Sequence, residues 1–544
     1  MKQRGAAQVA LIVAILTLVS KVFGLIKNQF LAAYFGTSYV TDTFSLANII
    51  PSMIFAGILA ATATSFIPVF SKTYELEGEQ PANLFTSRIM NLLVIISIVS
   101  SLVGILFSRQ IITIFTMPDV TGTEMGNSAS WYASHLGWVL THGWTGARLE
   151  LASFYVRVTF SYCLFSSVAG IAESWLRYRH IFIRPVIVSY AINLFTIVFI
   201  LIAHGFDEPK IIVFGMFTGV AVHCVVLCMI ATKNRFHYSF DFRMTNTVRR
   251  ILVLAVPVFI GTTVGQIDLF VSKILASGLK EGSIASLEFA NLLTAFATGL
   301  TSGVIITILY PKLAKAFSTK DESYFLDLFT TGLSVLVIIG VPFTMGALIY
   351  DGSVVKMVYM RGAFDYDSLE MTQIAFFFYS ISLLPQMLSQ LLIHTFYSRH
   401  NTKLPLVVAC ITVTTNIIIS LMLVGSMAHG GLALSYSIAA FVNATLLILA
   451  LHRQSKGIIT CSFIIKCMKV LIASLIAVGG TLPFFLGVQS FFASHSLVMP
   501  QTVLLGLTVL LAVGIYLILL RLLKVEELKH IRTMLTFRNT ERSN

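Results

Sequence analysis

Apolar stretches of about 20 residues, the length that crosses a hydrocarbon core, recur in this chain almost from end to end. No other feature restricts the fold so tightly. Inside a bilayer the chain must satisfy its own backbone N–H and C=O groups, so a spanning segment is a helix or part of a closed barrel. The runs here are continuous rather than alternating, which selects helices. Only 11% of the 544 residues are charged, against about 25% in a soluble domain. The pattern predicts an all-α polytopic membrane protein. Its fourteen spans fall near 9–35, 43–70, 89–115, 151–172, 181–203, 210–232, 250–275, 284–310, 328–350, 371–396, 404–424, 430–451, 463–488 and 501–523. The first stretch is long and runs straight into the second without a small-residue cleavage site, so it reads as a span rather than a leader.

An even number of spans puts both termini on one side, and the basic residues say which. With the N-terminus in the cytoplasm, the cytoplasmic tails and loops hold 27 of the 37 Lys and Arg residues. The opposite side holds six, namely Arg109, Arg148, Lys210, Lys280, Lys356 and Arg361, while Lys21, Lys27, Arg157 and Lys273 lie within spans. That asymmetry is the positive-inside pattern. The net charge of +13 is spread over many short loops rather than gathered on one face, which argues against nucleic acid as a partner. There is no GxxxxGK[ST] loop, and the short loops leave little room for ATP hydrolysis. The 12 histidines are scattered without metal-ligand spacing. Cys224 and Cys228, one turn apart beside His223, read as small buried helix residues. No nucleophile–His–acid set stands out, so the chain reads as a transporter and not an enzyme.

Two parts of the chain echo each other. Ala47-Asn48-Ile49-Ile50 recurs as Ala290-Asn291-Leu292-Leu293, and twenty residues after each Asn comes a proline, Pro68 and Pro311. Lys72 and Lys315 follow four residues later. Arg179-His180 precedes Pro185 by the same spacing that separates Arg399-His400 from Pro405. Six spans lie between the partners, so the repeats are parallel, a transporter architecture with a path between two lobes. The expected organisation is an N-terminal lobe (1–232), a C-terminal lobe (233–453), two further spans (454–523) and a cytoplasmic tail (524–544). The two offsets, 243 and 220 residues, differ by 23, which locates an insertion in the first half. Segment 119–150, with Trp131, Trp138 and Trp144, is the odd piece there. It is expected to be an external loop lying partly on the bilayer surface, where tryptophans concentrate.

An ordered series of short motifs then points to a family. Ser20-Lys21-Val22-Phe23-Gly24-Leu25-Ile26-Lys27-Asn28 resembles the S-R-x-x-G-x-x-R-D first helix of the MurJ/MviN lipid II flippases. Phe35-Gly36, Thr41-Asp42, Phe66-Ile67-Pro68, the Gln266–Gly278 segment, Arg361-Gly362-Ala363-Phe364-Asp365, Phe396-Tyr397-Ser398-Arg399 with Pro405, Gly430-Gly431-Leu432-Ala433-Leu434 and Asn443 continue it. The likeness covers nearly the whole chain except 119–150. It implies the two-lobed fold of the MOP exporter superfamily and outward movement of an undecaprenyl-pyrophosphate-linked sugar by alternating access in the bacterial inner membrane. It also implies a lipid-tail groove in spans 13 and 14, and a drive from membrane potential or a coupling ion without a cofactor. The partners it implies are the lipid-linked glycan and membrane lipids, with the protein a monomer. The chain departs from the family at its cations. Members usually carry Arg-Asp at Lys27-Asn28, an Arg at Leu292 and an Arg pair at Phe55-Ala56.

Ionisable groups inside a bilayer are costly and mark function by default. Lys27 is the first candidate phosphate ligand, with Asn28 beside it; snorkelling toward an interface is the bland alternative. Lys21 lies six residues earlier, about 1.7 turns away, and is the second candidate. Asp42 opens span 2 and reads as a contact or as a carboxylate favoured by a helix N-terminus. Glu288 and Glu173 can pair with cations or take a coupling ion. Arg157 faces a cavity or an acid, Asp268 and Lys273 partner other helices, and Asn48 and Asn291 hydrogen-bond between helices. Three transport readings stay open: a lipid II flippase, a flippase for another lipid-linked oligosaccharide such as an exopolysaccharide or O-antigen unit, and a MATE-like small-molecule exporter. A fourth, a non-transporting scaffold, gives no reason for buried Lys and Glu.

Overall fold

The computed structural model describes residues 3–116, 144, 146–455, 461–494 and 501–524. Most of the inserted segment 119–150 therefore lies outside the described residues, as does nearly all of the tail. Everything described is helix, turn or loop, with no strand among those residues. The helices are α1 (Gln3–Phe35), α2 (Tyr39–Glu77), α3 (Glu79–Leu106), α4 (Ser108–Phe115), α5 (Gly146–Tyr178), α6 (Ile183–Gly205), α7 (Ile212–Lys233), α8 (Asn246–Ser277), α9 (Ser283–Ser318), α10 (Glu322–Ile349), α11 (Asp351–Tyr359), α12 (Tyr366–Ser380), α13 (Leu383–Ser398), α14 (Lys403–Gln454), α15 (Cys461–Gly480), α16 (Leu482–Ser494) and α17 (Gln501–Leu522).

Among the described residues, ten helices are long and apolar enough to cross a bilayer, and eleven if α12 and α13, bent by 46°, form one broken span. That is short of the fourteen expected. Part of the difference is α14. Its 52 residues would reach about 78 Å at 1.5 Å per residue, more than twice a hydrocarbon core. Ala428, at φ 48° and ψ −132°, interrupts it. The chain folds back there, since a Cβ on Gly431 would stand 2.7 Å from the Leu423 carbonyl oxygen. This is the physical sense of Gly430-Gly431. The helix thus holds two of the expected spans.

The outer surface is apolar: Leu106, Val253, Met422, Leu510 and Leu522 are all strongly exposed. A water-soluble domain does not tolerate such patches; lipid does. Prolines sit inside helices at Pro51, Pro68, Pro311 and Pro342, as membrane helices allow when neighbours re-satisfy the backbone.

The chain divides into two compact units. The first comprises Met1–Phe289, Arg361–Met371 and Ile417–Leu432. One of its cores joins Phe66 and Phe70 of α2, Phe85 and Ile89 of α3, Trp175 of α5 and Leu227 of α7. Buried serines tie α3 to α5 through Ser97 and Ser167, 2.7 Å apart. The loop after α7 is stapled to α3, with Asn91 donating to the Asp241 carbonyl at 2.8 Å and Arg88 to the Asp241 carboxylate at 2.7 Å. The second unit comprises Ala290–Met360, Thr372–Asn416 and Ala433–Asn544. There α10 packs against α15 and α17 through Ile338, Val470, Ala473 and Leu520. The Tyr516 hydroxyl donates to the Ile338 carbonyl at 2.7 Å.

The repeat predicted from spacing is visible in atomic detail. His180 and His400 both take positive φ, 59° and 58°. In each, the next residue's N–H closes the same six-residue turn onto the preceding helix, Ile181 to Leu176 and Asn401 to Phe396. The arginine before each histidine does the same job twice. Arg179 pairs with Glu79 and stacks on Trp175; Arg399 pairs with Glu322 at 2.7 Å and stacks on Phe325. Glu79 and Glu322 are 243 residues apart, the offset that separates Asn48 from Asn291.

Candidate functional site

Three of the charges within the spans lie together in the first unit. Lys273 of α8 and Glu288 of α9 form an ion pair, Nζ to Oε2 2.7 Å. Lys273 also donates to the Ser45 carbonyl of α2 at 3.2 Å. Lys27 of α1 is half-buried and within electrostatic reach of both. Three helices thus place two ammonium groups and one carboxylate together, with a carbonyl of a fourth, and the group carries a surplus positive charge. In a medium of low effective dielectric such a surplus attracts an anion strongly: a unit pair at 4 Å is worth about 4 kcal/mol at an effective dielectric of 20. Lysine meets phosphate as a point charge.

The hairpin geometry explains the meeting. Antiparallel helices joined by a short loop bring residues equidistant from the turn to one depth. Lys273 stands seven residues before Lys280 and Glu288 eight after it. That spacing was the available signal for Lys273, whose pairing the sequence leaves to an unspecified helix.

The other candidates are placed elsewhere. Lys21 is exposed on α1, and Asn28 is buried beside Lys27. Arg157 is exposed and donates through Nε to Ser108 at 2.9 Å, at the start of α4. Glu173 pairs with Arg177 one turn on, at 2.6 Å. Asn48 donates to Phe44 of its own helix at 2.7 Å, and among the described residues its buried amide oxygen has no partner and it makes no bond between helices. Asn291, in the second unit, makes no side-chain hydrogen bond among the described residues. Phe55, where the family resemblance implies an arginine, is packed with Tyr162, Cys163 and Val220.

Asp42 has a different task. It is fully buried, and its carboxylate accepts from Gly282 N and Ala285 N, both at 2.8 Å, and from Arg148 at 3.0 Å. It therefore caps the N-terminus of α9 from another helix, using the open N–H groups and positive dipole end found there. Arg148 lies 3.8 Å over the Trp144 ring, and Trp144 donates to the Ser277 carbonyl at the end of α8 at 3.0 Å. Trp144, from the edge of the inserted segment, is thus buried against α8 rather than held at a surface. Sequence reasoning counted Arg148 only as an external charge.

Nearby, the Arg361–Asp365 motif meets the end of α1. The Ala363 N–H donates to the Ala33 carbonyl at 2.7 Å. Gly362 has φ +59°, and a Cβ there would stand 2.2 Å from the Ala33 oxygen, so only glycine fits. Asp365 caps α12 by accepting from the Ser368 N–H at 2.8 Å. That bond, with the Ser368 hydroxyl, holds its carboxyl below the usual aspartate range.

Comparison with known proteins bears on the same architecture. The family model described as "Lipid II flippase MurJ" matches residues 31–503. A probable lipid II flippase MurJ of Rickettsia prowazekii is 25% identical over 523 residues, 95% of this chain and 97% of its own length. A solved lipid II flippase MurJ in an inward closed conformation superposes with a TM-score of 0.76 at 20% identity, covering 94% of this chain and 98% of that one. An inward-facing multidrug resistance MATE family transporter of the MOP superfamily superposes with a TM-score of 0.63 at 11% identity, covering 82% of this chain and 98% of that one. The structural likenesses speak to fold.

Proposed function

The chain belongs to the MurJ family of lipid II flippases, and on that premise we propose how it carries its cargo. It is a multi-pass membrane transporter, not an enzyme, and its substrate is lipid-linked. In our reading the diphosphate of lipid II enters from the cytoplasmic leaflet and settles on Lys27 and Lys273. An alternating-access movement then presents it to the outer leaflet. The observation that carries this reading is the surplus positive charge of the Lys27–Lys273–Glu288 group within the spans. A MATE-like cation exporter would be served by the opposite sign.

Several features follow from the same reading. Both termini lie in the cytoplasm, as the distribution of basic residues asks. Membrane potential or a coupling ion supplies the drive, with no cofactor. The protein works as a monomer without nucleic acid, and the segment 454–523 serves the long lipid tail.

Complementation tests the function. The resident lipid II flippase of a bacterium is depleted, this chain is expressed, and external lipid II and survival are measured. Rescue by the wild type, lost with Lys27→Ala at equal membrane expression, is the expected result. No rescue by a well-expressed wild type would refute lipid II as the cargo. It would turn the assignment to another lipid-linked oligosaccharide, the reading that the altered cations at Lys27, Phe55 and Leu292 favour.

A further inference from the structure

We propose that Glu288 is a built-in stand-in for the substrate's diphosphate: it holds Lys273 while the site is empty and yields it to the incoming anion. The inference rests on the flippase reading above and adds a regulating residue to that site.

The charges balance in a telling way. A diphosphate joining a lipid to a sugar carries two negative charges near neutral pH, which Lys27 and Lys273 match. Glu288 is then the surplus. In the observed arrangement it gives Lys273 a partner at 2.7 Å, so the ammonium is not left bare in a low-dielectric bundle, where an unpaired charge is severely destabilising. Lys273 spends two of its three donors on Glu288 and Ser45. Lys27 makes no hydrogen bond among the described residues and presents all of its donors.

Exchange requires that Glu288 have somewhere to go. Its side chain is 36% exposed, while that of Lys273 is 16% exposed. The carboxylate is the outward member of the pair and can turn to water; the lysine, anchored on the Ser45 carbonyl, stays. Once the diphosphate is seated, the displaced carboxylate repels it, and that repulsion favours release. A transporter needs a site strong enough to load and weak enough to empty. Two free lysines would only load.

The test measures binding and turnover together on the full-length protein in phosphatidylcholine nanodiscs. Undecaprenyl diphosphate is titrated by native mass spectrometry, and flipping is followed in the depletion strain. Glu288→Gln is expected to bind at least about tenfold tighter, since a neutral amide competes poorly for Lys273, and to flip more slowly because release lags. Lys273→Met is expected to bind at least about tenfold more weakly. Glu288→Gln binding no tighter than wild type, or Lys273→Met binding as tightly as wild type, would overturn the proposal. Should Lys273→Met fail to fold, Glu288→Gln alone decides, because its amide oxygen still accepts from Lys273. A wild type that neither binds undecaprenyl diphosphate nor rescues would refute the underlying flippase reading instead. A wild type that does both, beside an unaltered Glu288→Gln, refutes the exchange only.

Discussion

Replacing Asp42 with asparagine should release the first turn of α9 while leaving the rest of the bundle in place. The carboxylate accepts from Gly282 N and Ala285 N at 2.8 Å and from Arg148 at 3.0 Å. Asparagine is nearly isosteric, but it offers one oxygen where aspartate offers two, and its NH₂ group faces a donor. Two charge-assisted contacts are lost or reversed. Hydrogen bonds to charged groups contribute about 1.5–3 kcal/mol each, so the local cost is about 3–6 kcal/mol. At 1.4 kcal/mol per factor of ten, amide exchange at Gly282 and Ala285 should quicken by roughly 10²–10⁴. Hydrogen exchange read by mass spectrometry on the peptide holding 278–289 measures this directly, because local opening is what it senses. Arg148→Met keeps both backbone contacts and should quicken exchange only about tenfold, near the cost of one such hydrogen bond. Asp42→Asn within about threefold of wild type would refute the account. It would mean that the α9 terminus is held by its packing and not by the carboxylate.

Other consequences are sharper in sign than in size. Gly362→Ala should lower the melting temperature and the yield of monodisperse protein, because it adds a Cβ 2.2 Å from the Ala33 oxygen at a φ of +59°; an unchanged melting curve would show that this junction is not close-packed. The Asp241 carboxyl lies outside the spans and is held below its ordinary range by the Arg243 N–H and by Arg88. A depressed carboxylate contributes stability above its unfolded pKa of about 3.9 and loses it as pH falls through the folded value. Protease cleavage within 234–245 should therefore rise between neutral pH and pH values below that range, and Asp241→Asn should cleave readily at both.

Much of this protein was legible before any coordinate. Hydropathy over about 20 residues is a local sum, so each expected span falls on a helix or a helix pair, but the helix ends differ from the expected ones by up to ten residues, as at the start of α3. The duplicated unit was legible too, because Arg179 and Arg399 keep the same spacing to a following proline. What those arginines do with Glu79 and Glu322 was not written in the spacing.

Which charges meet is a question of another kind. A helix turns about 100° per residue, so a modest rotation decides whether a side chain looks into the bundle or away from it. No one-dimensional pattern fixes that rotation when every face is apolar. Lys21 ranks behind Lys27 as a phosphate ligand and Arg157 is a candidate for a cavity, yet both are exposed on their helices. Lys273 and Glu288 meet because α8 and α9 form a tight hairpin. Asp42 was legible as a carboxylate suited to a helix terminus, but the terminus it caps belongs to α9, 240 residues away. The sequence by itself determined that the chain crosses the membrane many times in two related parts. Only tertiary packing decided which few of its costly charges share one site, because hydropathy is a property of the residues whereas burial and proximity depend on how the helices are turned.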